Sequence, residues 1–218
     1  LFCSVISVCL ICTIYYAIIY VDIAIVLVIL YTFPVLIALV AQLNGEENIS
    51  SSEWLLILII CSGLILIISD GNFSSNSFGF VLCIAGLVLM TIFIYLSSRV
   101  ASNLGSQEFN LQINFCSLFL LLIALWVFDL KITTPKNFDG AIAIFLNGIF
   151  YVLSYTLFFL GSNIIGVTRA SILSSTEPLF ATVIAAIFLN QFLSLKELTG
   201  FLMVIVSLYY FEKRKSSL

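Results

Sequence analysis

Eight apolar runs of membrane-spanning length follow one another with little interruption, at about residues 2–20, 23–43, 54–69, 78–98, 111–129, 140–161, 167–190 and 197–212. A hydrocarbon core about 30 Å thick is crossed by roughly 20 residues of α-helix, and irregular backbone inside it would leave polar groups unpaired. Continuous runs of this length therefore predict helices. Strands of a membrane barrel would alternate over about ten residues, which these runs do not do. The breaks hold polar and turn-forming residues, as in Asn44-Gly45-Glu46-Glu47-Asn48, Asp70-Gly71-Asn72 and Thr133-Thr134-Pro135-Lys136-Asn137, and none is long enough for a soluble domain. The expected fold class is all-α, a polytopic membrane helix bundle.

Composition narrows the function. Hydrophobic residues make up 62% and charged residues 9%, against about 45–50% and 25% in soluble chains, so the helices need a bilayer rather than water. With 8 Lys plus Arg and 11 Asp plus Glu the net charge is -3, which provides no basic field for nucleic acid. His is absent, which removes Ser-His and Cys-His nucleophile pairs and His-ligated metals. Cys3, Cys9, Cys12, Cys61, Cys83 and Cys116 lie in apolar runs without metal-site or disulfide spacing and read as small hydrophobes, so no cofactor or metal is expected. An intramembrane aspartyl enzyme would need two mid-depth Asp, whereas Asp22, Asp70, Asp129 and Asp139 stand at span ends. A non-transporting scaffold or assembly subunit, and a channel, are the remaining alternatives to a transporter.

Eight crossings put both ends on one side, and Glu212-Lys213-Arg214-Lys215 follows the last run, which the positive-inside rule places in the cytoplasm. Arg99 and Arg169 then lie inside with Lys213, Arg214 and Lys215, while Lys131, Lys136 and Lys196 lie outside. The basic tail, residues 213–218, serves as a topology signal or contacts anionic lipid. No basic segment precedes Leu1–Tyr20 and no small-residue cleavage site follows it, so it is not expected to be a removable signal.

Shifting the chain by 144 residues superposes Thr32 on Thr176, Pro34 on Pro178, Ala41 on Ala185, Ser50 on Ser194 and Glu53 on Glu197. In both copies a helix with a mid-helix Pro runs into a short turn (Asn48-Ile49-Ser50 or Phe192-Leu193-Ser194), and a Glu opens the next helix. The matched helices are five crossings apart and run in opposite directions, an inverted repeat of the kind used by alternating-access transporters. Residues 1–69 form a first unit of three helices and 78–212 a second unit of five. The chain starts with Leu and its first Met is Met90, so two further helices are expected before Leu1 to complete a five-plus-five arrangement.

Gly166-Val167-Thr168-Arg169-Ala170-Ser171, then Ser174-Ser175-Thr176-Glu177-Pro178-Leu179-Phe180-Ala181, then Leu195-Lys196-Glu197-Leu198-Thr199-Gly200 resemble the EamA repeat of the drug/metabolite transporter superfamily. Tyr15-Tyr16-Ala17, Pro34 and the Glu47 turn resemble the later part of a first such repeat. The resemblance implies ten helices in two inverted sets of five, movement of small organic metabolites or drug-like solutes across the bacterial inner membrane, and cytoplasmic termini. Two positions depart from the pattern. Gln191 stands where an acid is common, and Phe33 replaces the Glu of a Glu-Pro pair.

Glu177 is the one acid well inside an apolar run, where a charge costs on the order of 3 kcal/mol. It serves proton coupling or substrate contact, or it ties up backbone left unpaired by Pro178. Pro178 and Pro34 lack the amide hydrogen and are expected to kink their helices at matching depths. At 100° per residue Ser171, Ser174, Ser175, Pro178, Thr182 and Ala185 share one face, opposite Leu173, Phe180, Ile184 and Ile187. That small face allows close helix packing or walls a cavity. Asn147, Tyr151, Ser154 and Tyr155 form a second polar stripe, for a cavity or for the headgroup level, with a weaker one at Asn114 and Ser117. Expected partners are a small-molecule substrate and membrane lipid, without nucleic acid. A homodimer is compatible with the sequence.

Overall fold

A computed structural model of the chain describes residues 1–68, 76–127, 135, 137–188 and 194–215. Among the described residues the elements are α1 (Phe2–Tyr20), α2 (Ile23–Leu30), α3 (Phe33–Leu43), α4 (Ser51–Ile68), α5 (Ser77–Leu104), α6 (Ser106–Val127), α7 (Phe138–Ile165), α8 (Val167–Ser174), α9 (Glu177–Phe188) and α10 (Leu195–Lys215). The all-helical class is as expected. The Asp70-Gly71-Asn72 turn, Thr133, Thr134, Lys136, Gln191 and the Phe192-Leu193 turn lie outside the described residues, as do the side chains of Ala185, Arg214 and Lys215.

Among the described residues five stretches are long and apolar enough to cross a membrane: Phe2–Tyr20, Ile23–Leu43, Ser77–Leu104, Ser106–Val127 and Phe138–Ile165. Ser51–Ile67 is apolar but shorter. The run at 167–190 divides between α8 and α9, and α10 ends in charged residues that reach beyond the expected tail boundary, since the helix continues to Lys215.

Two expected single helices are broken rather than kinked. Between α2 and α3 the Thr32 amide turns back to the Ile29 carbonyl at 3.1 Å, and between α8 and α9 the Thr176 amide turns back to Leu173 at 3.0 Å. The Thr32 hydroxyl donates to the same Ile29 carbonyl (2.6 Å), and the Thr176 hydroxyl to Leu173 (2.8 Å). Each proline is therefore not in mid-helix. It occupies the second position of the helix that follows the break, where an absent N–H leaves no bond unmade.

The turns also end differently from the reading of polar breaks. α5 continues through the polar stretch after Tyr95 to Gly105, and α7 continues to Gly166, so a single residue joins each to the next helix. Gly105 (φ 90°) and Gly166 (φ 86°) hold conformations that disfavour a side chain.

The last element of each unit begins alike. Glu53 accepts from the Ser50 amide at 2.7 Å and Glu197 from the Ser194 amide at 2.6 Å, while the Ser50 and Ser194 hydroxyls accept from the Glu53 and Glu197 amides at 3.4 and 3.3 Å. Both are capping boxes. α4 and α10 pack against each other, with Gly63 against Gly200 and Val204 and Gly200 against Gly63 and Ile67, so the two run antiparallel. A Cβ on Gly63 would lie 2.8 Å from the Gly200 carbonyl oxygen, so these backbones meet only because both residues are Gly.

Three apolar clusters hold the bundle. Phe33, Ile37, Phe93, Phe109 and Phe159 centre the first, Ile57, Leu64, Ile172 and Val204 the second, and Ala17, Val26 and Cys83 the third. Asn110, buried, donates to the Val152 carbonyl (2.8 Å) and the Thr156 hydroxyl (2.6 Å), joining α6 to α7 by polar contacts that hydrocarbon cannot replace.

Candidate functional site

The break between α8 and α9 places Glu177 at the first position of α9, near the middle of the 167–188 stretch. The break between α2 and α3 places Tyr31 at a comparable depth in 23–43. The two lie within electrostatic range of each other. Positive partial charge at the start of α9 also favours a carboxylate there.

α7 completes the arrangement from another side. Tyr151 and Tyr155, one turn apart, have ring centroids 4.9 Å from each other. Tyr155 faces Phe93 of α5 edge-on at 5.8 Å and lies within electrostatic range of both Glu177 and Tyr31. Phe93 of α5, Phe109 of α6 and Tyr151, Tyr155, Phe158 and Phe159 of α7 thus form one aromatic belt, with Glu177 and Tyr31 within electrostatic range of Tyr155. Glu177 is accessible, while Tyr31 and Tyr155 are half-buried.

Beside the belt, a cavity of about 320 Å³ opens between α7 and α8, lined by Ser154, Leu157, Phe158 and Gly161 on one wall and by Leu173 and Ser174 on the other. Its size is within the range of small-molecule sites, about 300–1,000 Å³. The Ser174 hydroxyl is turned to the Ala170 carbonyl at 2.9 Å, which reduces the polarity of that wall.

The residues singled out by sequence divide into three groups. Glu177, Tyr151 and Tyr155 come together in the belt, and Ser174 lines the cavity. Ser175, Pro178 and Pro34 are buried in helix packing, and Thr182 donates to the Pro178 carbonyl at 2.7 Å. Asn147 is exposed and stands one turn before Tyr151, apart from these contacts. Of the weaker stripe, Asn114 bonds back to Asn110 and Ser117 is buried against α1. On the outward face of α9, Phe180, Ile184 and Ile187 are exposed.

Tyr31 and Phe93 escaped the sequence reading, which followed prolines and small residues. The signal for Tyr31 was its place directly before Thr32, the residue that superposes on Thr176.

A further polar cluster closes the end of the bundle that carries the C-terminus of α10. The Tyr95 hydroxyl donates to Glu46 (2.6 Å) and accepts from Arg99 and Asn44, each at 2.7 Å, and Arg99 pairs with Glu46. Arg169 pairs with Glu212 nearby. Among the described residues no group of three His, Cys, Asp or Glu gathers to hold a metal.

The model of the EamA-like transporter family matches residues 77–211, more than half of the chain. A search of curated proteins found no match.

Proposed function

Since the chain belongs to the EamA-like transporter family, we propose that it moves a small organic solute across a cytoplasmic membrane by alternating access, with the belt around Glu177 as its binding site. The observation that carries this reading is the pair of helix breaks at the same register, Tyr31-Thr32 and Ser175-Thr176, with a carboxylate beside one and a tyrosine beside the other, in electrostatic range of each other. Broken helices at mid-depth expose backbone and polar side chains where a solute can be held, and such irregularity is tolerated in a membrane only where it borders protein or a cavity.

The matched breaks, the matched capping boxes and the antiparallel α4 and α10 support an inverted relation between residues 1–69 and 78–212, within an eight-crossing bundle. Arg99, Arg169 and Lys213 at the α10 C-terminal end favour its placement in the cytoplasm.

In this reading Glu177 is the coupling group. An empty site leaves its carboxylate without a basic partner at mid-depth, so it takes up a proton on one leg of the cycle and releases it on the other. The test is counterflow in proteoliposomes with a labelled panel of amines, amides and carboxylates, run on the parent and on Glu177→Gln. Saturable counterflow by the parent, with loss of its pH dependence in Glu177→Gln, is expected. Equal, non-saturating flux in liposomes with and without protein would contradict transport, and an unchanged pH dependence in the variant would remove the coupling role.

A further inference from the structure

We propose that the turn after α3 is an electrostatic latch. Glu46, held by Arg99 and Tyr95, keeps the bundle shut at the end bearing the α10 C-terminus, so that the resting molecule opens toward the opposite face. The latch goes beyond the transporter reading above and rests on it for the cycle in which it is released.

α3 is built as a lever. It follows the break at Thr32, where the Thr32 amide bonds to the Ile29 carbonyl at 3.1 Å and the Val35 amide to the Thr32 carbonyl at 3.0 Å, in place of a continuous helical ladder. Its 11 residues run roughly 16 Å from mid-depth to the turn. The turn is stitched to the lever: the Asn44 amide donates to the Val40 carbonyl at 3.0 Å, and the Glu46 and Glu47 amides both donate to the Ala41 carbonyl, at 3.0 and 3.4 Å. Gly45 supplies the positive φ of 70° that this reversal needs. A shift of the turn therefore carries α3 with it, pivoting about Thr32.

The far end of the lever is fastened to other helices. Glu46 accepts from the Tyr95 hydroxyl at 2.6 Å and pairs with Arg99, both on α5, and Asn44 donates to the same hydroxyl at 2.7 Å. The Glu47 carboxylate oxygen stands 3.7 Å from where a Cβ on Gly166 would lie, so the turn also rests against the α7–α8 junction. In the first turn of α8, Arg169 holds Glu212 of α10. The Arg99 and Glu46 side chains are 54% and 34% exposed, so water can replace their pairing once the turn lifts, as a latch that opens in each cycle requires. Ala38 of α3 packs in one cluster with Ile172 of α8, so lifting the lever uncovers the helix that carries Ser174.

The repeat makes the two ends unequal. The shift that superposes Pro34 on Pro178 carries Glu46 and Glu47 onto Asn190 and Gln191. The sequence after α9 thus has two amides where the turn after α3 has two carboxylates, and an amide forms no ion pair. The α3 lever has a charged contact to break that its counterpart lacks at the matching positions. This difference favours the conformer closed at the α10 C-terminal end.

The test is the rate at which a membrane-impermeant maleimide labels Ser174→Cys from each face in turn, in a chain cleared of its six native cysteines and reconstituted in known orientation. The otherwise unaltered protein should label faster from the face opposite the α10 C-terminus. Glu46→Gln should raise the rate from the α10 C-terminal face about threefold, the scale of a half-exposed ion pair, and leave the other rate unraised. Glu46→Arg combined with Arg99→Glu restores an ion pair around the Tyr95 hydroxyl and should return the original ratio. An unchanged rate in Glu46→Gln, an equal rise from both faces, or a reversed pair that labels like Glu46→Gln would overturn the latch. Counterflow by the parent without these changes would sink the latch alone, and the changes without counterflow would sink the transporter reading alone.

Discussion

Tyr95 shows how much one hydroxyl can organise. It is buried at the closed end of the bundle, donates to Glu46 and accepts from Arg99 and Asn44, so it ties α5 to the turn after α3. The Arg99 guanidinium also lies over its ring at 4.6 Å. Removing the hydroxyl deletes three hydrogen bonds at once, two of them to charged groups, whereas removing Arg99, whose side chain is 54% exposed, deletes a contact that water largely replaces. Tyr95→Phe is therefore expected to cost about 1–3 kcal/mol and Arg99→Ala less than about 1 kcal/mol, read as thermal unfolding in detergent. The reverse order would show that the ion pair, not the hydroxyl, holds this end. The i, i+4 spacing of Tyr95 and Arg99 was open to view in the sequence, but Glu46 was hidden as one of several polar residues in a turn. Glu177 was conspicuous by contrast, because one acid in a long apolar run has few bland explanations. Tyr31 was not, since nothing in a local sequence pattern says which tyrosine from 146 residues away will come within electrostatic range of it.

At the level of helices, the apolar runs were legible because hydrocarbon demands them, and their ends were less so because polar residues continue a helix as readily as they stop one. α5 and α7 each extend past the apolar run until Gly105 and Gly166. The two breaks lay at Thr32 and Thr176, ahead of the prolines on which the expected kinks were centred, because Pro fits at a helix start and is costly inside one. The capping boxes make the likeness of the two units measurable. Ser50→Ala and Ser194→Ala should each cost about 1 kcal/mol, and a large effect of one with none from the other would argue against equivalent starts. The α4–α10 contact is stricter. Gly200→Ala places a Cβ 2.5 Å from the Gly63 carbonyl oxygen, so the helices must separate, with an expected loss of about 1–3 kcal/mol from overpacking. Gly148, with open space around its missing side chain, should accept Ala without loss. Equal behaviour of the two variants would contradict the close packing.

Across the whole molecule, the belt joins what the clusters separate. The first apolar cluster draws on α1, α3, α5, α6 and α7 and the second on α3, α4, α8, α9 and α10, so that α3 belongs to both, with Tyr155 packed on the first and Tyr31 on the second. A rearrangement of the two clusters about α3, the helix they share, would change access to Glu177 while keeping both packed, which is what the proposed alternating access requires. The bundle end bearing Lys215 is tied by the Tyr95 cluster and by the Arg169–Glu212 pair, so opening at that end must first release polar contacts rather than apolar ones. The most direct measurement is labelling of Ser174→Cys by a membrane-impermeant thiol reagent, in a protein whose six native cysteines are replaced by alanine. Oriented proteoliposomes are treated from one side and then from the other. Labelling from both sides, slowed by a transported solute, is predicted for a mid-depth site that alternates its access. Labelling from a single side under every condition, unaffected by solute, would contradict the account.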